Sequence, residues 1–239
     1  MKIDVLGVGF DNLTMDEAVS RGMEIIKERG GYAVTPNPEI VWMCRNDASV
    51  AQAVNGASVV LPDGIGVIYG ARILGTPLKE KVPGIDFAAR IFKELAAVEG
   101  SVYLFGSKPG VAEAAADKIA RDYPGLRIVG THDGYFSDDR PIIEDINAAA
   151  PDLLLVCLGA PKQELWMAEH AGKLNCGLMA GLGGSLDVFS GAVERAPERW
   201  QKANLEWLYR LGKEPRRIGR MLKLPVFLLA VVGSRIRGK

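Results

Sequence analysis

The sequence predicts an α/β fold in which a mostly parallel sheet carries helices on both faces. Short apolar runs alternate with segments of helical spacing, most regularly from residue 101 onward. Such alternation is typical of parallel strands joined by crossover helices. The chain has 239 residues, of which 48% are hydrophobic. It can therefore bury a large core as one domain, or as one domain with an appendage.

The individual elements follow from periodicity and from capping signals. An apolar strand is predicted at Ile3–Val8, and the spacing of Thr14 and Glu17 is that of a capping box at a helix start. Further strands are predicted at Tyr32–Val34, Val59–Leu61, Val102–Phe105, Arg127–Val129, Leu153–Leu158 and Gly177–Ala180. Further helices are predicted at Ile40–Arg45, Ala48–Val54, Ile65–Leu74, Phe87–Val98, Val111–Asp122, Pro141–Ala149, and after Pro161 through Ala171.

The composition changes near residue 194. Residues 195–239 contain 12 lysines and arginines and three acidic residues, whereas residues 1–194 contain 17 basic and 26 acidic residues. The neutral net charge therefore hides a basic segment, which indicates an anionic partner such as lipid headgroups, nucleic acid or a phosphorylated substrate. We divide the chain into an α/β core at 1–194 and a basic helical appendage at 195–239.

The apolar segment Leu224–Val232 lies in this appendage, with basic residues on both sides. It is too short to span a bilayer, which takes about 20 residues. One interpretation is a segment that lies in the membrane interface. The other is a C-terminal helix that packs on the core and has a solvated basic face. The charge, the apolar run and the terminal position favour the membrane interface.

The cysteines and the N-terminus indicate a cytosolic location. Met1 leads directly into an apolar strand without a basic leader, so we expect no signal peptide. The cysteines are odd in number, lie in apolar surroundings and form no CxxC or Cys/His spacing. We interpret them as reduced thiols in the core. They are Cys44, Cys157 and Cys176.

Several common ligand motifs are missing. Asn12 stands where a dinucleotide fingerprint beginning at Gly7 would need a third glycine, and no Walker A spacing occurs. The chain has no D-x-D triplet, and His132 and His170 are not paired. These patterns disfavour a nicotinamide enzyme, a P-loop enzyme and a carboxylate-bound metal. If negative charge develops on a leaving group, arginine, lysine or backbone donors would then have to neutralise it.

Glycine-rich turns follow three predicted strands, at residues 106–110, 159–161 and 181–184. Each alone is explained by a tight turn. Together they indicate a ligand cleft, because glycine lets a phosphate or nucleotide approach the backbone closely.

Asp63 follows the short apolar run Val59–Leu61, at the point where Pro62 stops the strand and Gly64 begins a turn. Ligands of open α/β sheets lie outside the carboxyl ends of the strands, so this carboxylate is directed toward a substrate. A helix cap is the more common role for a lone aspartate at such a position, and the local sequence leaves both roles open.

Two polar loops offer further candidate contacts. Thr35 and Asn37 lie in a loop that Pro36 and Pro38 make rigid, which suits hydrogen bonding to a sugar. An Asn N-cap followed by a Pro-initiated helix explains the same loop equally well. Gln163 offers an amide near a helix start, where anions are favoured.

Seven motifs, taken together and in this order, closely resemble the WecG/TagA/CpsF family of membrane-associated bacterial glycosyltransferases. They are TPNPE at 35–39, LPDGIG at 61–66, VPGID at 82–86, FGSKPG at 105–110, GAPKQE at 159–164, GLGGSLDVFSG at 181–191 and RAPERWQ at 195–201. The resemblance covers nearly the whole chain. It implies a Rossmann-like core and an inverting, metal-independent transfer without a cofactor.

The wall-teichoic-acid branch of this family moves N-acetylmannosamine from its UDP donor to the 4-hydroxyl of N-acetylglucosamine on undecaprenyl diphosphate. For this chain the resemblance implies a UDP-sugar donor, a polyprenyl-diphosphate acceptor and a peripheral location on the inner face of the cell membrane. Nucleic acid is then not expected as a partner, and a homo-oligomer stays an open alternative.

The resemblance also assigns roles to residues, beginning with Asp63 as the general base. It implies that sugar-contacting groups are Thr35, Asn37 and Gln163, that diphosphate-binding groups are Lys81, Arg210, Arg217 and Arg220, and that the UDP site is bordered by Gly106, Ser107, Gly183, Gly184 and Asp187. Lys81 is a departure, because relatives often have arginine there. Lysine keeps the charge but loses the bidentate fork.

Other functions remain as alternatives. The same fold could use UDP-N-acetylmannosaminuronate or UDP-glucose for another surface polysaccharide. A non-catalytic membrane- or polyanion-binding module would use the basic appendage alone and would not need Asp63. A nucleotide oxidoreductase is less favoured, because the dinucleotide fingerprint fails at Gly7 and again at residues 181–186.

Overall fold

The computed structural model of the chain describes residues 1–213 and 223–237, apart from the side chain of Arg210. The strands are β1 (Lys2–Val5), β2 (Val8–Asp11), β3 (Gly31–Val34), β4 (Val59–Val60), β5 (Ser101–Gly106), β6 (Arg127–His132), β7 (Leu153–Cys157) and β8 (Leu178–Gly181). The helices are α1 (Met15–Glu28), α2 (Pro38–Asn46), α3 (Ala48–Asn55), α4 (Ile65–Leu74), α5 (Gly84–Ala96), α6 (Val111–Asp122), α7 (Arg140–Ala149), α8 (Lys162–His170), α9 (Ser185–Phe189), α10 (Glu198–Lys202), α11 (Glu206–Lys213) and α12 (Lys223–Ile236).

The predicted α/β class is confirmed. Six strands form one parallel sheet in the order β4-β3-β8-β7-β5-β6. Because neighbouring residues of a strand point to opposite faces, each strand feeds two separate apolar cores. In β3, for example, Tyr32 and Val34 pack with one core and Ala33 with the other. Helices α2, α3, α7 and α8 cover the first face, and α1, α5, α6 and α9 cover the second.

The prediction of a single strand at Ile3–Val8 is wrong. β1 and β2 form an antiparallel hairpin in which Val5 pairs with Val8. Leu6 and Gly7 make the turn with φ values of 55° and 90°. Two positive φ values are typical of the two-residue turns that match the strand twist. The apolar run continues through this turn in sequence, which is why hydrophobicity alone did not reveal it.

Local capping agrees with the sequence-based prediction in the helices that lead toward the site. Thr14 and Glu17 form the expected capping box at the start of α1. Asn37 caps α2 through its Oδ1 atom, which accepts a hydrogen bond from the Ile40 N–H at 3.0 Å. Pro38 follows at the first helical position, where a missing N–H costs nothing. The Asn37 cap fixes where the chain turns at the carboxyl end of β3.

Helix α12 packs against α4 and α2. Phe227 and Val231 are completely buried, so Leu224–Val232 lies in a helix that packs on the core, as one of its two interpretations expected. The opposite side of α12 exposes apolar side chains to solvent. We call these the apolar stripe; its members are Val226, Leu229, Val232 and Ile236. No helix among the described residues is long and apolar enough to cross a membrane.

Candidate active site

A cavity of about 270 Å³ lies at the carboxyl ends of β3, β4 and β8. The residues that line it are Asn37, Pro38, Glu39, Asp63, Gly64, Ile65, Gly66, Lys81, Pro83, Gly84, Ile85, Leu182, Gly184, Ser185, Asn204, Glu206, Trp207 and Leu224. They come from the loops after these strands, from the segment before α5, from the first residues of α2, α4, α5 and α9, and from the loop before α11 together with α11 and α12. The cavity therefore brings residues from beyond position 200 together with the loops at the carboxyl ends of the sheet.

The topology explains why a cavity forms here. β3 and β8 are neighbours in the sheet, but the helices that follow them cover opposite faces: α2 packs with the first core and α9 with the second. The chain therefore diverges on leaving the sheet, and a crevice opens between the two strand ends. Ligands of open α/β sheets bind at such switch points.

Asp63 is partly exposed and lines this cavity. Its backbone N–H donates to the Pro36 carbonyl at 3.3 Å, and the Val82 N–H donates to the Pro62 carbonyl at 2.9 Å. The turn is thus tied to the loop after β3 and to the segment before α5. The N-cap of α4 is Gly64, with φ of 89°, rather than Asp63. The structure therefore does not give Asp63 the capping position that the local sequence had left open.

Thr35 and Asn37 are held by the fold at the end of β3. The buried Thr35 hydroxyl donates to the Gly181 carbonyl at 3.1 Å and so joins the ends of β3 and β8. The Asn37 amide oxygen is used by the α2 cap, as one interpretation of this loop expected. Asn37 also lines the cavity, so its Nδ2 donors are the part that suits a ligand contact.

Gln163 lies beneath the glycine loop after β8 and has only 3% of its surface exposed. Its Oε1 atom accepts a hydrogen bond from the Gly183 N–H at 2.9 Å, and its Nε2 atom donates to Glu164 Oε1 at 2.9 Å. Glu164 is completely buried, and its Oε2 atom has no hydrogen-bond partner among the described residues. Burial raises the pKa of Glu164, although the hydrogen bond from Gln163 acts in the opposite direction. Gln163 thus supports the loop, and it is not among the residues that line the cavity.

The predicted nucleotide-site residues lie at the end of β5, in the loop after β8 and in helix α9. The Ser107 hydroxyl donates to Asp187 Oδ1 at 2.8 Å, which connects the two loops. Gly106 has φ of 127°, and a Cβ there would lie 2.4 Å from the Cys157 backbone, so the close approach of β5 and β7 requires glycine. Of this set, only Gly184 lines the cavity.

Lys81 contributes a cation to the cavity, and a chain of charged groups surrounds it. Its Nζ atom lies 3.7 Å from Glu206 Oε2, and Glu206 Oε1 accepts a hydrogen bond from Arg195 Nε at 3.4 Å. Arg195 also makes a bidentate pair with Asp86, at 2.6 and 2.7 Å. Burial lowers the pKa of Arg195, but the hydrogen bonds and charges of Asp86 and Glu206 outweigh it and the pKa is raised.

The structure thus brings four of the predicted site residues to one cavity: Asn37, Asp63, Lys81 and Gly184. Arg217 and Arg220 lie outside the described residues, as does the side chain of Arg210. The sequence-based prediction missed Glu206 and Trp207. Glu206 is one of three acidic residues in the basic appendage, and this exception to the local charge was the available signal. No cluster of three or more potential metal ligands occurs within 1–213 and 223–237.

An acid and a lysine at one crevice of an open parallel sheet place the chain in the class of α/β proteins that bind ligands at the carboxyl ends of their strands. The chain belongs to the glycosyl transferase WecG/TagA/CpsF family, whose profile it matches over residues 3–239. The resemblance of its motifs to this family is therefore confirmed, and the chain is a glycosyltransferase.

Two relatives illustrate the similarity. One, from Bacillus spizizenii, is 35% identical over 206 residues, which cover 86% of this chain and 80% of the relative. The other, from Staphylococcus aureus strain MW2, is 34% identical over 238 residues, which cover 98% of this chain and 93% of the relative. Both are named N-acetylglucosaminyldiphosphoundecaprenol N-acetyl-beta-D-mannosaminyltransferase.

Proposed function

We propose that this chain transfers N-acetylmannosamine from UDP-N-acetylmannosamine to the 4-hydroxyl of N-acetylglucosamine on undecaprenyl diphosphate, with inversion at the anomeric carbon. The product is a linkage unit of wall teichoic acid. The names of the relatives support the acceptor and the sugar. The observation that carries the proposal is the cavity that holds Asp63 and Lys81 together at the carboxyl ends of the sheet.

The chemical step is a single displacement. The Asp63 carboxylate takes the proton of the acceptor hydroxyl while that oxygen forms a bond to the anomeric carbon. The bond between the anomeric carbon and the diphosphate oxygen breaks, and its electron pair leaves with UDP. A well-positioned general base contributes about 10²- to 10⁴-fold to such a reaction. Asp63 is partly exposed and lines the cavity, which supports this role.

Positive side chains stabilise the diphosphates in place of a metal ion. Among the described residues, Lys81 is the cation that lines the cavity, and its compact ammonium acts as a point charge rather than as a bidentate fork. Arg210, Arg217 and Arg220 add positive charge from the appendage. Arg195 is already engaged by two carboxylates, and we assign it to holding the appendage on the core.

The remaining predicted site residues hold the substrates and the strand ends in position. Asn37 contacts the sugar through its free amide donors, whereas Thr35 and Gln163 keep the ends of β3 and β8 in place. UDP lies along the loops after β5 and β8, bordered by Gly106, Ser107, Gly183, Gly184 and Asp187. The hydrogen bond between Ser107 and Asp187 supports this assignment, because it gives both loops one fixed spacing.

The acceptor lies in the membrane, and the appendage at 195–239 contacts the membrane surface. The apolar stripe of α12 lies in a segment that contains 12 lysines and arginines, and this combination suits a peripheral site on anionic lipid at the inner face of the membrane. The cavity is lined in part by α11 and α12, so contact with lipid brings the acceptor close to Asp63.

The test is UDP release by the full chain with a lipid-linked N-acetylglucosamine acceptor. UDP-N-acetylmannosamine, UDP-N-acetylmannosaminuronate and UDP-glucose are compared, each with and without a chelator. We expect turnover with UDP-N-acetylmannosamine, unchanged by the chelator. Preference for another donor would reassign the sugar, and loss of turnover with the chelator would refute the metal-free mechanism.

A further inference from the structure

Glu206 places a negative charge in a cavity that we assign to diphosphate groups. It begins α11, and its side chain and that of Lys81 each have 19% of their surface exposed. Glu206 Oε2 lies 3.7 Å from Lys81 Nζ, and both residues line the cavity together with Asp63. A fixed carboxylate beside the binding cation would repel a diphosphate, so its presence needs an explanation.

The contacts of Glu206 are longer than those around it. Arg195 holds Asp86 with two hydrogen bonds of 2.6 and 2.7 Å, whereas Glu206 is 3.4 Å from Arg195 and 3.7 Å from Lys81. Bidentate arginine–carboxylate pairs are among the strongest polar contacts in proteins. Arg195 therefore keeps its main partner if Glu206 moves away, and the attachment of residue 195 to α5 is preserved.

We propose that Glu206 is an exchangeable counter-ion that occupies the anion position at Lys81 and gives way to the diphosphate of a substrate. This inference rests on the proposed function, since it assumes that Lys81 receives a diphosphate. The exchange replaces one anion by another at the same lysine, so Lys81 is paired both before and after binding. The carboxylate lowers the affinity for diphosphate, and substrate binding releases the start of α11.

Trp207 makes this exchange observable. It follows Glu206 directly in α11 and lines the same cavity. A diphosphate at Lys81 that displaces Glu206 changes the surroundings of the Trp207 ring as well. The diphosphate could come from the UDP donor or from the polyprenyl acceptor, and separate titrations distinguish these two sources.

The kinetic experiment combines Glu206→Gln with Lys81→Met in the full chain. Glu206→Gln removes the charge and keeps an oxygen that can accept from Arg195. We expect it to lower the KM of the diphosphate substrate that reaches Lys81 by roughly three- to tenfold, and to raise kcat/KM. In the Lys81→Met background the same substitution should have no such effect. Glu198→Gln is the matched control, because Glu198 is exposed and pairs with Lys202 outside the cavity.

The binding experiment titrates Trp fluorescence with UDP in one arm and with farnesyl diphosphate in the other. We expect a saturable change with the ligand that reaches Lys81, a lower Kd in Glu206→Gln, and loss of the signal in Trp207→Phe. A higher or unchanged Kd in Glu206→Gln, or an equal gain in the Lys81→Met background, overturns the proposal. If the wild-type chain releases no UDP with any donor, the proposed function fails, and this titration still decides the exchange.

Discussion

Gly66 is the point where α4 meets both α2 and α12, and replacing it by alanine tests how the appendage is seated. A Cβ at residue 66 would lie 2.6 Å from Leu224 Cδ1 and 2.6 Å from Pro38 Cγ. Leu224 can change rotamer. Pro38 cannot, because its ring is fixed at the first position of α2. Gly66→Ala must therefore move a helix.

The magnitude follows from two opposing terms. Alanine in place of glycine inside a helix is favourable by about 1 kcal/mol. Overpacking of a close helix contact costs about 1–3 kcal/mol. We expect a net loss of about 1 kcal/mol in the free energy of unfolding. Gly233→Ala is the matched control, because within the part of the chain that the structure describes only Arg237 Nη2, at 3.7 Å, lies near a Cβ added there. Gly233→Ala in α12 should therefore gain the favourable helix propensity of alanine without a cost of overpacking.

Urea unfolding followed by far-UV circular dichroism measures both variants. With an m-value of about 3 kcal/mol/M, a loss of about 1 kcal/mol lowers the midpoint by roughly 0.3 M. We expect Gly66→Ala to fall below wild type and Gly233→Ala to lie at or above it. A Gly66→Ala chain as stable as wild type would refute the tight contact between α4, α2 and α12.

Three further predictions concern other parts of the chain. Leu229 and Ile236 are 73% and 79% exposed, so replacing both by aspartate should leave stability unchanged but abolish flotation with anionic liposomes. Val98→Asp, at a site 69% exposed, is the control. Retained flotation of the double variant would contradict the role of the apolar stripe. Burial raises the pKa of Cys44 and Cys157 to about 12 and that of Cys176 to about 11. At pH 8 the native chain should therefore react slowly with a thiol reagent that labels the unfolded chain at once. Rapid labelling of the native chain would contradict this burial. Since the pKa of Glu164 is raised in the folded state, the stability linked to its protonated form is complete below its ordinary pKa and is lost as pH rises through the folded pKa. Glu164→Gln should therefore gain stability relative to wild type as pH rises from 4 to 8 in urea unfolding, and a constant difference would argue against a buried titrating acid.

Much of the fold was predictable because the spacing of apolar residues and the capping residues indicate the same helix bounds. The predicted bounds of the helices Ile65–Leu74 and Val111–Asp122 match α4 and α6. The N-terminal hairpin was not predicted, since apolar residues continue through its turn. Helix α9 was also missed, because only five residues form it, directly after a glycine loop. Short elements of this kind depend on tertiary packing more than on their own sequence.

The candidate site was predictable only in part. Asp63 and Asn37 follow the carboxyl ends of strands, where ligands of open α/β sheets bind, so the sequence indicated them. Gln163 stands near a strand end too, but its amide is turned inward to the Gly183 loop, which no local pattern reveals. The pairing of Lys81 with Glu206 joins residues 125 positions apart in the chain, and it depends on how α11 docks. The division of the chain at 194/195 stays a prediction.

Asp63→Asn tests the central claim most directly, since it keeps the size of the side chain and removes the base. UDP release is measured with UDP-N-acetylmannosamine and the lipid-linked acceptor, after circular dichroism has shown a native fold. Asp117→Asn, at an exposed site on α6, is the control. We predict a loss of about 10²- to 10⁴-fold in kcat for Asp63→Asn and none for the control. A kcat of Asp63→Asn close to that of wild type would contradict the account.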